Sequence, residues 1–583
     1  YTKTADLFYA AGLIWSGRLE GMDPSTGKVV EKLKQTMTAP MSHDRCWRNK
    51  ITNRYFVNTK TGGIDLVDLE GKGELPSPWV RSTCGLGSMP ANNMFYTGPY
   101  VCMCSIGSLI PGFNALYCNN TDSPFEKFKL TQTSKITKGS AFGNVDEIIA
   151  TASDWPTYRG SGARGAVNSA ELNANIVEAW EVKIGSRPTA PVIVGSSVYI
   201  ASKDTHMVYA LDISKGEIKW TFTAGGTIDS PPTYYKGMIL VGGRDGFVYC
   251  LRAKDGALVW RFDGLPYQRL ICDRGQLESA WPINGSILVH DDLAYFSAGR
   301  SSYLDGGIAL FALNPQTGEV VYQNVMSGPY EDEDELFPSV VGAFRDQGCK
   351  ADVLSSSNGL IYMRHQAFKT DLAIVDTKTL SKSHLIASPG FLNDTPQHRT
   401  YWTVDTDLRY GGPGAVVVDG PIGDIIAYDG TTFYEVRGYA PGRNLPDRGR
   451  NFNISDTFSI FSGRKAQANE KGAWKAKRGL IPETGIWKKR WETKIEFAGH
   501  AVAVGKNMVV AAGVPLVKNF SLKEANDSLE GKKGGVICFL SAEKGEILVQ
   551  KELPAPPTWD GVAIANDRCV VSQKDGSVVC FSN

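Results

Sequence analysis

One pattern recurs along this chain and limits what it can fold into: an apolar pair, a tight turn closed by glycine, and an aromatic residue four positions later. Ala210-Leu211-Asp212-Ile213-Ser214-Lys215-Gly216-Glu217-Ile218-Lys219-Trp220 is the clearest copy. Cys250-Leu251 through Asp255-Gly256 to Trp260 is a second, and Ala312-Leu313-Asn314 through Thr317-Gly318 to Tyr322 a third. Weaker copies run from Met22 to Gly27 and from Phe539 to Gly545. Self-similarity at this spacing means an array of like units that stack on their neighbours to complete a core. The 583 residues therefore need not divide into several independent domains.

The best-resolved unit, Pro188 to Trp220, contains four short runs rich in β-branched and aromatic residues with turn residues between them. Ser230 to Trp260 copies it. Hairpin-linked runs of this kind predict four-stranded antiparallel sheets, and sheets arranged radially make a propeller whose edges stay short and protected. The expected fold class is thus all-β, a β-propeller with inserted loops. Extending the template outward places innermost strands near 6–11, 43–50, 84–92, 189–194, 230–236, 278–288, 351–356, 398–404, 499–505 and 559–565. The last lacks an outer strand of its own, so ring closure is expected to borrow one. The expected organisation is a single propeller over 1–583: Cys-rich blades over 1–130, an insertion over 119–175, regular blades over 176–439, a basic insertion over 440–490 and closing blades over 491–583.

Charge narrows the partners. Sixty-two basic residues stand against 61 acidic ones, which lacks the basic excess of a dedicated nucleic-acid binder. No apolar run is long enough for a transmembrane helix. The chain opens at Tyr1 without a signal peptide, almost inside a repeat, and reads as a processed or truncated product with an upstream portion. Five of the eleven cysteines fall early, at Cys46, Cys84, Cys102, Cys104 and Cys118. That crowding predicts one or two disulfides and an oxidising, periplasmic or secreted setting; buried free thiols are the alternative. Cys272 and Cys349 are a further candidate pair. Cys250, Cys538 and Cys580 lie in apolar strand patterns and are expected in the core.

The repeats resemble the pyrroloquinoline-quinone-type β-propeller family, which includes quinoprotein alcohol dehydrogenases and outer-membrane assembly lipoproteins of the BamB type. Asp154-Trp155-Pro156-Thr157-Tyr158-Arg159-Gly160, followed by Glu178-Ala179-Trp180-Glu181-Val182, is similar to the opening of such propellers. Closest in resemblance are large secreted propellers of planctomycete-type bacteria, through His43-Asp44-Arg45-Cys46, Gly299 to Gly307 and His398-Arg399-Thr400-Tyr401-Trp402. The resemblance implies eight blades. A quinone cofactor is not expected. The dehydrogenases pair theirs with a vicinal Cys-Cys disulfide, and this chain has no Cys-Cys dipeptide. The repeat aromatic is expected to fasten one blade to the next instead.

Function is sought at the strand starts, which crowd around one funnel mouth. Among seven histidines, His43, His398 and His500 each fall near one, and Arg45, Arg399 and Tyr401 travel with them. Arg187, Asp229, Gln276, Glu278, Asp352 and Asp560 are expected near the same rim. One chemistry this set can serve is β-elimination on a uronic-acid polysaccharide. Arg45 or Arg399 would neutralise the carboxylate, His398 or His43 would act as base and Tyr401 as acid. The substrate would lie against Arg187, Glu278, Trp559, and Arg300 and Tyr303 of the Gly299–Gly307 turn. The other is a divalent metal site (zinc, manganese or calcium) of His43, His398 and His500 with Gln276. The basic stretch Arg464 to Arg490, interleaved with Trp474 and Trp487, is a further candidate for an anionic glycan. The expected function is an extracytoplasmic propeller that binds an acidic polysaccharide or oligosaccharide, as a polysaccharide lyase if it is an enzyme. A non-catalytic scaffold with a protein partner is the alternative, and a quinoprotein or metal oxidoreductase a third.

Overall fold

The computed structural model describes residues 7–33, 49–60, 63–77, 80, 86–98, 110, 113–117, 135–265, 268–273, 275–328, 349–364, 366–375, 384–388, 401–404, 409–411, 415–417, 422–423, 425–437, 458–467, 470–471, 486–516 and 521–582. Among them, one short helix, Leu522–Leu529, interrupts an otherwise all-β chain.

Among the described residues, eight antiparallel blades follow one another between residues 177 and 582, with two further two-stranded hairpins, Leu270–Asp273 with Gln276–Ser279 and Arg409–Gly411 with Ala415–Val417. Blade 1 is Val192–Val194, Ser197–Ser202, Met207–Asp212 and Ile218–Thr223; blade 2 is Thr233–Tyr235, Met238–Gly242, Val248–Arg252 and Leu258–Asp263. Blade 3 runs from Ile283–His290 to Val320–Met326, and blade 4 from Leu354–Ser357 to Ile374–Val375. Blade 5 has three described strands, Leu385–Ser388, Tyr401–Val404 and Ile422–Gly423. Blade 6 runs from Ile425–Tyr428 to Ile486–Ile495, and blade 7 from Phe497–Val504 to Ile547–Leu553. Blade 8 consists of Pro557–Ala565, Arg568–Gln573 and Ser577–Ser582, and its fourth strand is Val177–Lys183 from the start of the ring. The expected borrowing of an outer strand thus takes a definite form: Val182 pairs with Val578 and Lys183 with Ser577. The innermost strands of blades 1, 2, 3 and 4 adjoin in turn, as do those of 6, 7, 8 and 1. Blade 5 closes the gap, with His384 stacked on Tyr362 of blade 4 at 3.8 Å and its strands against blade 6.

The repeat aromatic is the fastener between blades. Trp180, Trp220, Trp260 and Trp491 sit on the fourth strands of their blades, and each donates its indole N–H to the Gly turn of the next blade, at Ile213 O, Ala253 O, Pro315 O and Ala542 O. Each ring also lies flat on a glycine, Gly216, Gly256, Gly318 or Gly545, where a Cβ would come within 2.4–2.9 Å of it. The weak copy near Gly27 has the same left-handed turn but nothing within 4 Å of the glycine. It belongs to a four-stranded sheet, Leu7–Ala10 to Val29–Lys32, which shares a small core with the sheet containing Tyr55–Lys60.

Several sequence expectations shift. The innermost strand of blade 6 is Ile425–Tyr428, whereas 398–404 contains the middle strand of blade 5. The run 278–288 divides: Gln276–Ser279 pairs with Leu270–Asp273 in a separate hairpin, and the blade 3 strand starts at Ile283. Lys135–Lys138, inside the expected insertion, adds a fifth strand to the outer edge of blade 2. The expected Cys272–Cys349 pair is absent. Both are free thiols, Cys272 exposed on the hairpin and Cys349 buried in the blade 3–4 core, where burial pushes its thiol up to about 12. Cys250, Cys538 and Cys580 are buried as expected. The early cysteines Cys46, Cys84, Cys102, Cys104 and Cys118 lie outside the described residues.

Candidate functional site

Antiparallel order puts the starts of the innermost strands and the turns between second and third strands at the same end of every blade. At the opposite ends, a strap of residues 154–168 crosses the ring. Trp155 exchanges backbone hydrogen bonds with Ile193 of blade 1, and Pro156 O accepts from Tyr234 of blade 2. Arg164 donates to Ser286 O of blade 3 and Leu354 O of blade 4. Gly165 O accepts from Tyr428 of blade 6, Ala166 O from Val504 of blade 7, and Asn168 donates its amide to Ile564 O of blade 8. Arg159, Arg164 and Ala166 all hold left-handed backbone, near φ +56°. For residues other than glycine, that conformation persists only where surroundings over-determine it. Arg164 is wholly buried. Burial among neutral acceptors pulls its guanidinium down to about 9, so it stays charged at neutral pH.

On the other side of the strap the described residues leave the mouth open. A cavity of about 320 Å³ is bounded by Tyr158 of the strap, Thr558, Trp559 and Lys574 of blade 8, Arg187, Thr189 and Lys203 of blade 1, and Asp229 at the entry to blade 2. Irregular backbone aims these groups. The ladder of the blade 8 inner strand breaks between Pro557 and Val562, and Asp560 within that break has φ +54°. Such breaks re-aim side chains, and an aspartate tolerates positive φ better than most residues. Arg187, at φ +46°, is anchored by Asp204, whose carboxyl the guanidinium holds below its ordinary value.

Beneath the cavity, Tyr158 donates its hydroxyl to Asp560 at 2.5 Å, and Arg159 pairs with the other Asp560 oxygen. All three are buried. Burial raises the Asp560 carboxyl, which Arg159 opposes, and lifts the Tyr158 hydroxyl well above its usual range. To one side, Arg244 gathers Asp229 at 2.9 Å, Asp273 at 2.9 Å and Glu278. Burial raises the Glu278 carboxyl and Arg244 opposes it.

Of the residues singled out in the sequence, Arg187, Asp229 and Trp559 line the cavity, and Asp560 lies beneath it. His500 occupies a bulge between Gly499 and Ala501, with its ring 5.3 Å from that of Trp559 and its Nδ1 3.4 Å from Pro557 O. Glu278 is taken up by Arg244. Gln276, on the hairpin, accepts from Thr227 at 2.6 Å and lies 3.3 Å from His206 Nε2. Arg300 and Tyr303 belong to a turn on the same face of blade 3, where Asp305 pairs with both Arg300 and Arg269 and Tyr303 is buried. His43, Arg45, His398 and Arg399 lie outside the described residues, as does the Tyr401 side chain; the Tyr401 backbone pairs with Ser388. Among the described residues, no group of three or more His, Cys, Asp or Glu is arranged to hold a metal ion. The described cysteines are separate free thiols, and Arg164 fills the ring behind the cavity. Of the basic stretch, the described residues 464–466 end the third strand of blade 6 and 486–490 begin its fourth, while Trp474 lies outside the described residues. Arg464 and Lys488 both bind Glu470, and Trp487 is buried. Sequence reasoning missed Lys203, Lys574 and the floor of Tyr158. The lysines share one signal, a position in the second-to-third-strand turn beside an aspartate.

Residues 169–410 match the family model described as outer membrane protein assembly factor BamB. The BamB of Burkholderia pseudomallei (strain K96243) is 28% identical over 169 residues, 29% of this chain and 40% of that protein. The BamB of Moranella endobia (strain PCIT) is 36% identical over 67 residues, 12% of this chain and 17% of that one. The match therefore spans less than half the length of either relative. Among solved structures, the quinohemoprotein alcohol dehydrogenase from Comamonas testosteroni aligns over 74% of this chain and 81% of its own, with 16% identity and a TM-score of 0.41.

Proposed function

We propose that this chain, whose residues 169–410 belong to the pyrroloquinoline-quinone-type, BamB-like propeller repeat family, is an extracytoplasmic β-propeller that binds an anionic saccharide in the open mouth of its ring. The observation that carries the reading is the composition of the cavity wall: Arg187, Lys203 and Lys574 stand around the Trp559 indole. Cations attract a carboxylate or sulfate, and an aromatic face takes the apolar side of a sugar ring. Among the lining residues three are cationic and one, Asp229, is a carboxylate, which Arg244 holds, while Arg187 is itself held by Asp204. A cavity of 320 Å³ lies at the small end of ligand pockets and suits one or two sugar units.

Calorimetric titration with oligogalacturonates and with neutral oligosaccharides of equal length tests this. The reading expects heat from the acidic series alone, and its loss on Trp559→Ala and Lys574→Ala. Equal binding of neutral sugars, or acidic binding untouched by both substitutions, would overturn it. The β-elimination expected of His398, Arg399 and Tyr401 is checked in the same samples by ultraviolet absorbance of an unsaturated product. A second reading, a non-catalytic assembly scaffold, is favoured by the family match. It expects a stable protein partner that Trp559→Ala retains.

A further inference from the structure

We infer that the mouth captures the end of an anionic chain rather than an internal stretch of it; this rests on the saccharide reading above. The floor carries the inference. Tyr158 closes the cavity from beneath, locked by Asp560, which Arg159 holds in turn. Behind it the strap is hydrogen-bonded to the innermost strands of blades 1, 2, 3, 4, 6, 7 and 8, and Arg164 lies fully buried between blades 3 and 4. Among the described residues, a ligand entering the mouth therefore meets the strap as a wall.

The sides are built up as well. Trp559, Thr558 and Lys574 rise on blade 8, and Lys203 with the Arg187–Asp204 pair on blade 1. Beyond blade 2, the hairpin Leu270–Asp273 and Gln276–Ser279 is tied across to blade 1 through Gln276, Thr227 and His206. A polymer lying across the mouth would bridge this rim and leave the Tyr158 floor below it. A chain end can descend to that floor, with its terminal carboxylate among the cations and its ring against the Trp559 indole.

The test is a length and end-blocking series on the full chain. Galacturonate oligomers from the dimer upward are titrated, alongside oligomers reduced at one terminus or capped with a bulky group at the other. End capture expects an affinity per chain that stays level with length, and a loss of about tenfold or more when the bound terminus is blocked. Affinity that climbs in proportion to length and ignores both modifications would overturn end capture while leaving the saccharide reading standing. No binding at any length would overturn both.

Discussion

Gly256→Ala tests whether the repeat motif acts as an inter-blade fastener. Gly256 has φ +72°, and a Cβ there would lie 2.6 Å from Trp220 Cε3 and 2.8 Å from Cδ2. Two terms add. Left-handed backbone with a side chain costs roughly 1–2 kcal/mol, and driving a methyl into a packed ring costs roughly 1–3 kcal/mol more. Trp220 cannot retreat freely, because its indole is fixed to Ala253 O at 2.9 Å. The expected loss is about 2–5 kcal/mol. Gly359→Ala is the control, at φ +72° in the same ring with nothing within 4 Å; it should lose only the backbone term, about 1–2 kcal/mol. Urea denaturation followed by tryptophan fluorescence measures both. Equal midpoint shifts for the two variants would refute the argument that the glycine exists to receive the indole.

Trp180→Ala removes the fastener on the closing strand, together with its bond to Ile213 O. It should destabilise the ring by about 3–5 kcal/mol, read as a lower urea midpoint. Asp560→Ala strands the buried Arg159 charge and should also lose about 3–5 kcal/mol, whereas adding Arg159→Met to Asp560→Ala should cost less than the sum of the two single changes; a denaturation double-mutant cycle checks this. Asp212, in the turn of the blade 1 repeat, has a carboxyl lowered to about 2 by hydrogen bonds from Ser214 and by Lys219. A depressed carboxylate stabilises the fold fully above its unfolded pKa. That contribution should fade as pH falls from about 4 towards 2, and NMR titration of Asp212 should give a midpoint well below an ordinary aspartate.

Much of the ring could be read from residues because its signals are local. The Gly216–Trp220 spacing, the β-branched runs and the missing last strand each follow from nearest-neighbour hydrogen bonding and packing. Register then carried Arg187, Asp229 and Trp559 to one rim. Non-local features stayed hidden. The strap has no hydrophobic period, and its residues acquire partners only once seven blades present their inner strands to it. Glu278 was placed on an inner strand by extending the repeat template; Ala280–Pro282 in fact separates the hairpin from the strand. Ile425–Tyr428 and Tyr401–Val404 are equally short runs of four residues, and only sheet pairing distinguishes the inner strand of blade 6 from the middle strand of blade 5. The Gly299–Gly307 turn looked like a ligand loop, but Asp305 commits Arg300 to the turn itself.

The most direct measurement is a crystal structure of the chain with trigalacturonate bound. The account predicts one terminal sugar seated against Trp559 above Tyr158, its carboxylate among Arg187, Lys203 and Lys574, with the rest of the trimer leaving through the mouth. Sugar bound on the outer strands, or lying across the rim without entering the cavity, would contradict it.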